Sequence, residues 1–307
     1  MNTFSTATRT TKDIQSVDPR LIKAHRGSTT PLVEKLYRGL TSPVRLLPDF
    51  LVIGAQRGGT TSLYQYLQVH PFIEPATTKE VHFFDRRFHK GLAWYRGHFP
   101  TALEKYRADR LHNRLFLIGE ATPDYLFHPH TPRRVARILP WVKLIVLLRN
   151  PVERAYSHYH HAVDLGYEHL PFEEAIRREE ERLGTEREKM LKNQYYKSCA
   201  YMELSYLSRG IYVEQLQAWM RVFPREQFLI LKSEDFYRDP AATLKQVLAF
   251  LGIPEARQHL PLNEYKPYNG KTAAPMSAGV REYLRAYFAP HNARLYDYLG
   301  LNLGWDS

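Results

Sequence analysis

Two hydrophobic patterns alternate along the chain. One consists of short continuous apolar runs, at 50–53, 115–119, 142–148 and 228–231. Their length and aliphatic content are those of strands buried on both faces. In the other pattern, apolar residues recur every three or four positions, which predicts helices over 132–139, 152–161, 211–223, 240–251 and 277–299. Leu63, Tyr64 and Leu67 fall on one face of a further helix, which His70-Pro71 stops. Gly252 closes the helix before it, and Pro290 predicts a kink or break in the last one. Strand and helix in alternation predict an α/β fold with a central parallel sheet, whose functional loops lie at the carboxyl ends of the strands. The run 142–148 is the most hydrophobic, so it is expected at the centre.

The ends and one insertion break this rhythm. Residues 1–30 are polar. A short amphipathic pattern at 31–40, carried by Leu32, Val33, Leu36 and Leu40, predicts a helix that docks on the core. The division expected is therefore a tail with a docking helix over 1–47 and one domain over 48–307. Residues 172–194 mix acidic and basic side chains at helical spacing, either as a solvated face or as a lid over a site.

Composition adds little to the fold and more to the ligand. The chain of 307 residues is 44% hydrophobic and 24% charged, as expected for a soluble globular protein. Its net charge of +11 favours an anionic partner. Cys199 is the sole cysteine, so no intrachain disulfide or cysteine-based metal site is possible. It sits among Tyr195, Tyr196 and Tyr201 and reads as a buried structural thiol. No run of 18 apolar residues predicts a membrane span, and the first residues lack the apolar core of a secretory signal. A cytoplasmic location is the expectation.

The chemistry concentrates after the first strand. Gly54-Ala55-Gln56-Arg57-Gly58-Gly59-Thr60-Thr61-Ser62 joins that strand to the helix carrying Leu63. Glycines let a backbone approach an anion, and the first N–H groups of a helix have no intrahelical partner. Gly54 and Gly59 have the spacing of a Walker A loop, but Thr60 stands where its lysine belongs and the cation is Arg57. An ATPase or GTPase reading loses its key group; phosphate binding keeps its donors, and a plain connecting turn is the alternative. Downstream, Lys79-Glu80-Val81-His82-Phe83-Phe84-Asp85 follows Pro75. Extended backbone there would set Glu80, His82 and Phe84 on one face, with Glu80 either a general base or half of a solvated pair with Lys79. The central strand ends in Arg149-Asn150-Pro151, with Pro151 suited to open a helix and Ser157 two turns along it. His158, His160 and His161 cluster on that helix, but no carboxylate completes a metal-ligand pattern, and no metal is expected.

These blocks resemble the sulfotransferases that use 3′-phosphoadenosine 5′-phosphosulfate (PAPS), specifically the branch of the heparan sulfate N- and O-sulfotransferases and their bacterial relatives. The resemblance runs from about residue 48 to residue 300. The glycine loop is similar to the family's 5′-phosphosulfate loop, and Glu80-Val81-His82-Phe83-Phe84-Asp85 to its catalytic block. Leu148-Arg149-Asn150-Pro151-Val152-Glu153-Arg154-Ala155-Tyr156-Ser157 is similar to its 3′-phosphate block, and Asn269-Gly270-Lys271 to its late loop over the nucleotide. The resemblance implies a three-layer sandwich with a P-loop-like strand-loop-helix. It also implies transfer of a sulfonyl group from PAPS to a hydroxyl or amine of a glycan acceptor, without a metal. The catalytic residues implied are Glu80, Arg57 and His82. The donor would be held by Gln56, Arg57, Gly58, Gly59, Thr60, Thr61, Ser62, Arg149, Ser157 and Lys271. Trp94, Tyr95 and His98 resemble a stretch near the acceptor cleft, with loop packing as the alternative.

The chain departs from the family pattern in three places. Arg57 replaces the usual lysine, Glu120-Ala121 replaces a Glu-Lys pair, and the late-loop disulfide of secretory relatives cannot form. Two other functions fit parts of the sequence. One is a nucleotide kinase with a degenerate loop, for which Asp235 is the candidate Mg²⁺ ligand. The other is a non-catalytic binder of polyanions; no nucleic-acid motif is present.

Overall fold

The computed structural model describes residues 32–112, 117–254 and 275–305. Five parallel strands form its sheet in the order β2-β3-β1-β4-β5: β1 (Phe50–Gly54), β2 (Ile73–Pro75), β3 (Leu117–Ala121), β4 (Lys143–Leu148) and β5 (Phe228–Lys232). Leu51 of β1 lies beside Glu120 of β3 and Leu144 of β4. Chain direction across the sheet reverses at β1, and the loop leaving it opens at that switch point, where α/β sheets hold their ligands.

Period-two alternation along the buried strands builds two cores. Leu51 and Ile53 of β1, with Leu144, Val146 and Leu148 of β4, pack on one side against Leu216 and Trp219 of the helix Tyr212–Met220. Phe50, Val52, Ile145 and Leu147 face the other side. There they meet Leu63, Tyr64 and Leu67 of the helix Thr60–Gln68 and Leu244, Val247 and Leu248 of the helix Pro240–Leu251. Helix, sheet and helix make the three layers. At the register pair Phe50 and Gly119, a Cβ on the glycine would stand 2.2 Å from the Phe50 ring. Gly119→Ala should therefore cost about 1–3 kcal/mol by overpacking, read as a lowered urea midpoint at unchanged slope.

Four expectations are corrected. The helix Leu32–Leu40 forms, but none of its residues is buried, and Leu40 is 82% exposed. It is tied to the domain through its polar side, where Arg38 Nη1 donates to Gly97 O at 3.2 Å. Its apolar stripe does not dock on the described core. Next, of the kink or break expected at Pro290 the break does not occur: the helix Ala278–Leu299 is continuous there, with Phe288, Asn292 and Leu295 buried along it. Third, the charged segment forms three short helices, Phe172–Arg177, Glu179–Leu183 and Glu186–Lys192. It is not one solvated face, because buried Glu179 accepts from the N–H groups of Leu207 at 2.6 Å and Ser208 at 2.8 Å. Finally, Cys199 is exposed, at the start of the short helix Cys199–Glu203. The edge strand β2 was not anticipated; three residues with one fully buried apolar side chain carry no readable period.

Candidate active site

One cleft of about 1020 Å³ opens at the carboxyl ends of the strands. The loop after β1 forms its floor. Ala55 N–H donates to Leu147 O at 2.8 Å, which anchors the loop to β4, and Gly58 N–H turns back to Ala55 O at 2.9 Å. Arg57 and Gly59 have φ of 67° and 92°, and a Cβ on Gly59 would stand 2.8 Å from the Tyr237 hydroxyl, so any other residue at 59 would be strained in its backbone and would displace Tyr237. The bond from Leu63 N–H to Gly59 O, 3.1 Å, starts the helical ladder. The N–H groups of Gly59, Thr60 and Thr61 lie ahead of that ladder, at the positive end of the helix dipole.

Two cations converge on this loop from separate elements. Arg57 Nε donates to Ser157 Oγ at 3.0 Å, and Arg149 Nη1 donates to Arg57 O at 3.2 Å. Arg149 is placed by the end of β4 and Ser157 by the helix Pro151–Asp164, which Asn150 caps by accepting from Val152 N–H at 3.0 Å. Burial, and then the charge of Arg149, lowers the pKa of Arg57. Among the described residues neither guanidinium has a carboxylate within ion-pair distance. Gln56, on the same wall, has a buried side-chain oxygen with no hydrogen-bond partner. Two adjacent cations, hydroxyls and helix-terminal amides are a donor set for phosphate groups.

The opposite wall carries the block after β2. It is not extended. Glu80 and His82 have φ of 61° and 54°, so the expected alternation fails: Phe84 enters the core, while Glu80 and His82 face the cleft. Glu80 N–H donates to Ala121 O at 3.0 Å and Phe83 N–H to the Tyr125 hydroxyl at 2.9 Å, which pins the turn to the end of β3. Lys79 Nζ donates to Glu80 Oε1, and His82 Nε2 stands 3.5 Å from Glu80 Oε2. Burial alone would raise Glu80, but the bond from His82 and the charge of Lys79 hold it down to about 2. Burial would likewise lower His82, yet Asp85, at 2.7 Å from Nδ1, and Glu80 hold it up to about 9. His82 is therefore an imidazolium clamped between two carboxylates at neutral pH.

This raised pKa sets a stability window. Proton binding by folded His82 stabilises the fold fully below about pH 6.5, its unfolded value, and that contribution is lost as pH rises through about 9. The stability gap between wild type and His82→Asn should shrink over that interval in chemical denaturation at stepped pH. A gap that is flat from pH 6 to 10 would contradict the assignment.

Behind this pair lies a network the sequence did not reveal. Buried Asp124 accepts from Arg86 at 2.6 Å and from Arg209 at 2.8 Å, and Arg86 also reaches Glu203 at 3.0 Å. His82, Asp85 and Asp124 have the spacing of a cation site among the described residues, but His82 and two arginines already occupy their charges. No local motif marks Arg209, which lies 85 residues from Asp124.

The other expected site residues divide. Thr60, Thr61 and Ser62 line the cleft with Gln56, Gly59 and Arg57, and Gly58 lies beneath it, its carbonyl accepting from Ser233 at 2.6 Å. Lys271 lies outside the described residues. Trp94, Tyr95 and His98 do not line the cleft. The Tyr95 ring is buried, stacked on Phe83 at 4.4 Å, and its hydroxyl donates to buried Glu120. Trp94 packs against Lys90 and Phe83, and His98, pushed down to about 4 by burial, bonds Thr77 at 2.9 Å; these are packing roles. Of the histidine cluster, His161 lines the cleft, whereas His158 is buried beside Tyr206. Asp235 pairs with Arg238 at 2.8 Å and is not among the cleft residues.

A parallel sheet with a glycine-loop helix at its switch point, facing a carboxylate across one cleft, defines a P-loop-like α/β transferase. Residues 47–275 match the sulfotransferase domain family, and the chain belongs to that family. It is 31% identical to the membrane-associated sulfotransferase kil1 of Dictyostelium discoideum, over 85% of this chain and 67% of that protein. It is 30% identical to the heparan sulfate glucosamine 3-O-sulfotransferase 3A1 of Mus musculus, over 85% of this chain and 65% of the relative. The chain thus spans about two thirds of the length of these curated relatives. A solved sulfotransferase from Alicyclobacillus acidocaldarius superposes with a TM-score of 0.62 at 32% identity, covering 85% of this chain and all of that one. The protein is a sulfonyl-transferring enzyme, and the kinase and polyanion-binder readings lose their support. No helix among the described residues is long and apolar enough to cross a membrane.

Proposed function

We propose that the enzyme transfers the sulfonyl group of PAPS to a hydroxyl or amine of a glycan, with Glu80 as general base. The observation that carries this is the pair Arg57 and Arg149, two cations without a carboxylate partner among the described residues, at a helix N-terminus and facing Glu80 across one cleft. The donor supplies an activated sulfonyl group with a phosphate leaving group. Arg57, Thr60, Thr61 and the loop amides would hold the 5′-phosphate, and Arg149 and Ser157 the 3′-phosphate. Arginine stays protonated, so Arg57 neutralises charge on the leaving oxygens and donates hydrogen bonds to them. Lys79 spans Glu80 and the cleft; a lysine turned to an anion leaves Glu80 with one fewer cation, and its carboxylate becomes a stronger base. His82 orients Glu80 from the side held by Asp85. The relatives named for heparan sulfate chemistry support a sugar acceptor.

The test is a titration with adenosine 3′,5′-bisphosphate against AMP and ATP, with and without Mg²⁺. The bisphosphate should bind tightest and independently of metal. Arg149→Ala should weaken it by about 1.5–3 kcal/mol, roughly 10- to 100-fold, and leave AMP nearly unchanged. ATP binding equally well and strengthened by Mg²⁺ would overturn the proposal.

A further inference from the structure

A second cavity of about 250 Å³ adjoins the cleft on the side away from the glycine loop and shares Arg86, Tyr167 and Glu203 with it. Asp85, which holds His82, lies in its wall. A substrate whose reacting atom meets Glu80 can therefore reach into this cavity. Its walls include Phe88, Met190, Tyr195, Tyr196 and Met202.

The two arginines in the wall are largely committed. Arg86 is paired with Asp124 and Glu203. Arg134 is spent on three carbonyls, those of Phe84 at 2.7 Å, Asp85 at 3.1 Å and Gln194 at 2.6 Å. Burial keeps His128 neutral by lowering it to about 4, while His89 and Lys197 stand exposed at the rim. Aromatic and thioether walls, with the guanidinium ends of Arg86 and Arg134 turned to carboxylates and carbonyls and only their Nε groups unpaired, favour an uncharged ring over a sulfated or carboxylated sugar. The pocket's size suits a ring: a cavity of about 150 Å³ holds benzene, so about 250 Å³ has room for a single substituted ring.

We propose that this side pocket is an aglycone subsite, which takes an uncharged apolar ring attached to the sugar that receives the sulfonyl group. The assignment rests on the acceptor being a glycoconjugate activated at Glu80, as proposed above. It makes the preferred acceptor an aryl or similarly capped glycoside and not an internal unit of a polyanionic chain.

Cys199, exposed and the sole cysteine, lies in the pocket wall and supplies the readout. The protein, saturated with adenosine 3′,5′-bisphosphate, is alkylated with N-ethylmaleimide in the presence of 4-nitrophenyl β-glucoside or methyl β-glucoside. The aryl glycoside should slow labelling at least about fivefold and the methyl glycoside should not, since the two differ only in the apolar ring. By calorimetry, Cys199→Glu should weaken the aryl glycoside about tenfold and leave bisphosphate affinity unchanged. Equal protection by both glycosides, no protection by either, or an unchanged affinity in Cys199→Glu would overturn the subsite while intact bisphosphate binding left the donor assignment standing. Failure of wild type to bind the bisphosphate would overturn both.

Discussion

Glu80→Gln should lower kcat for sulfonyl transfer by about a thousandfold, equivalent to roughly 4 kcal/mol of activation free energy, and leave adenosine 3′,5′-bisphosphate affinity within about twofold of wild type. The amide has the shape of the carboxylate and can still accept from Lys79, but it cannot take a proton from the acceptor. The groups proposed to bind the donor belong to other elements: Arg57 to the loop after β1, Arg149 to the end of β4, and Ser157 to the helix beyond. Loss of turnover with intact nucleotide binding would separate a base from a residue that merely shapes the cleft. Turnover within about fivefold of wild type would remove Glu80 from the mechanism. His82→Asn should cost less, because its ring orients the carboxylate and is not asked to accept the proton.

Asp124→Ala should be the most destabilising of the polar substitutions at the site, by about 3–5 kcal/mol, read as a drop in melting temperature on the order of 10 °C. The carboxylate is 3% exposed and is shared by Arg86 and Arg209, and Arg209 is also 3% exposed. Removing it leaves the Arg209 guanidinium buried without its counter-charge, although bonds to Met202 O and Ser205 Oγ remain. Arg86 keeps Glu203 and is less affected. The arginines hold Asp124 well below the usual carboxylate range against the opposing effect of burial. Its contribution is thus complete above about pH 4 and is lost as acid protonates it. A variant that melts with wild type at pH 7 would show that the network adds nothing net.

The fold was legible because its main signal is local. Strands buried on both faces need continuous apolar runs, and 50–53 and 142–148 are such runs. The glycine loop was equally readable, since a sharp turn before a helix constrains residue type; Gly59, at φ 92° beneath Tyr237, sits where a side chain would be strained. Legibility ended where structure depended on partners distant in sequence. Period-two alternation misplaced Phe84, because hydrogen bonds from the end of β3 hold the block in left-handed turns. Cys199 was expected inside on residue type alone and lies outside.

The sequence by itself determined the α/β alternation, the glycine loop with Arg57, the order of that loop and the Arg149 block along the chain, and the chemistry available at Glu80 and His82. Each follows from residue type and spacing within a few positions. Tertiary structure alone decided that Ser157 meets Arg57 across 100 residues, that Asp124 gathers Arg86 and Arg209, and that Tyr95 serves Glu120 in the core rather than an acceptor. The physical reason is that a charge or hydroxyl selects its partner by distance and burial in the folded state, and neither is encoded in local periodicity.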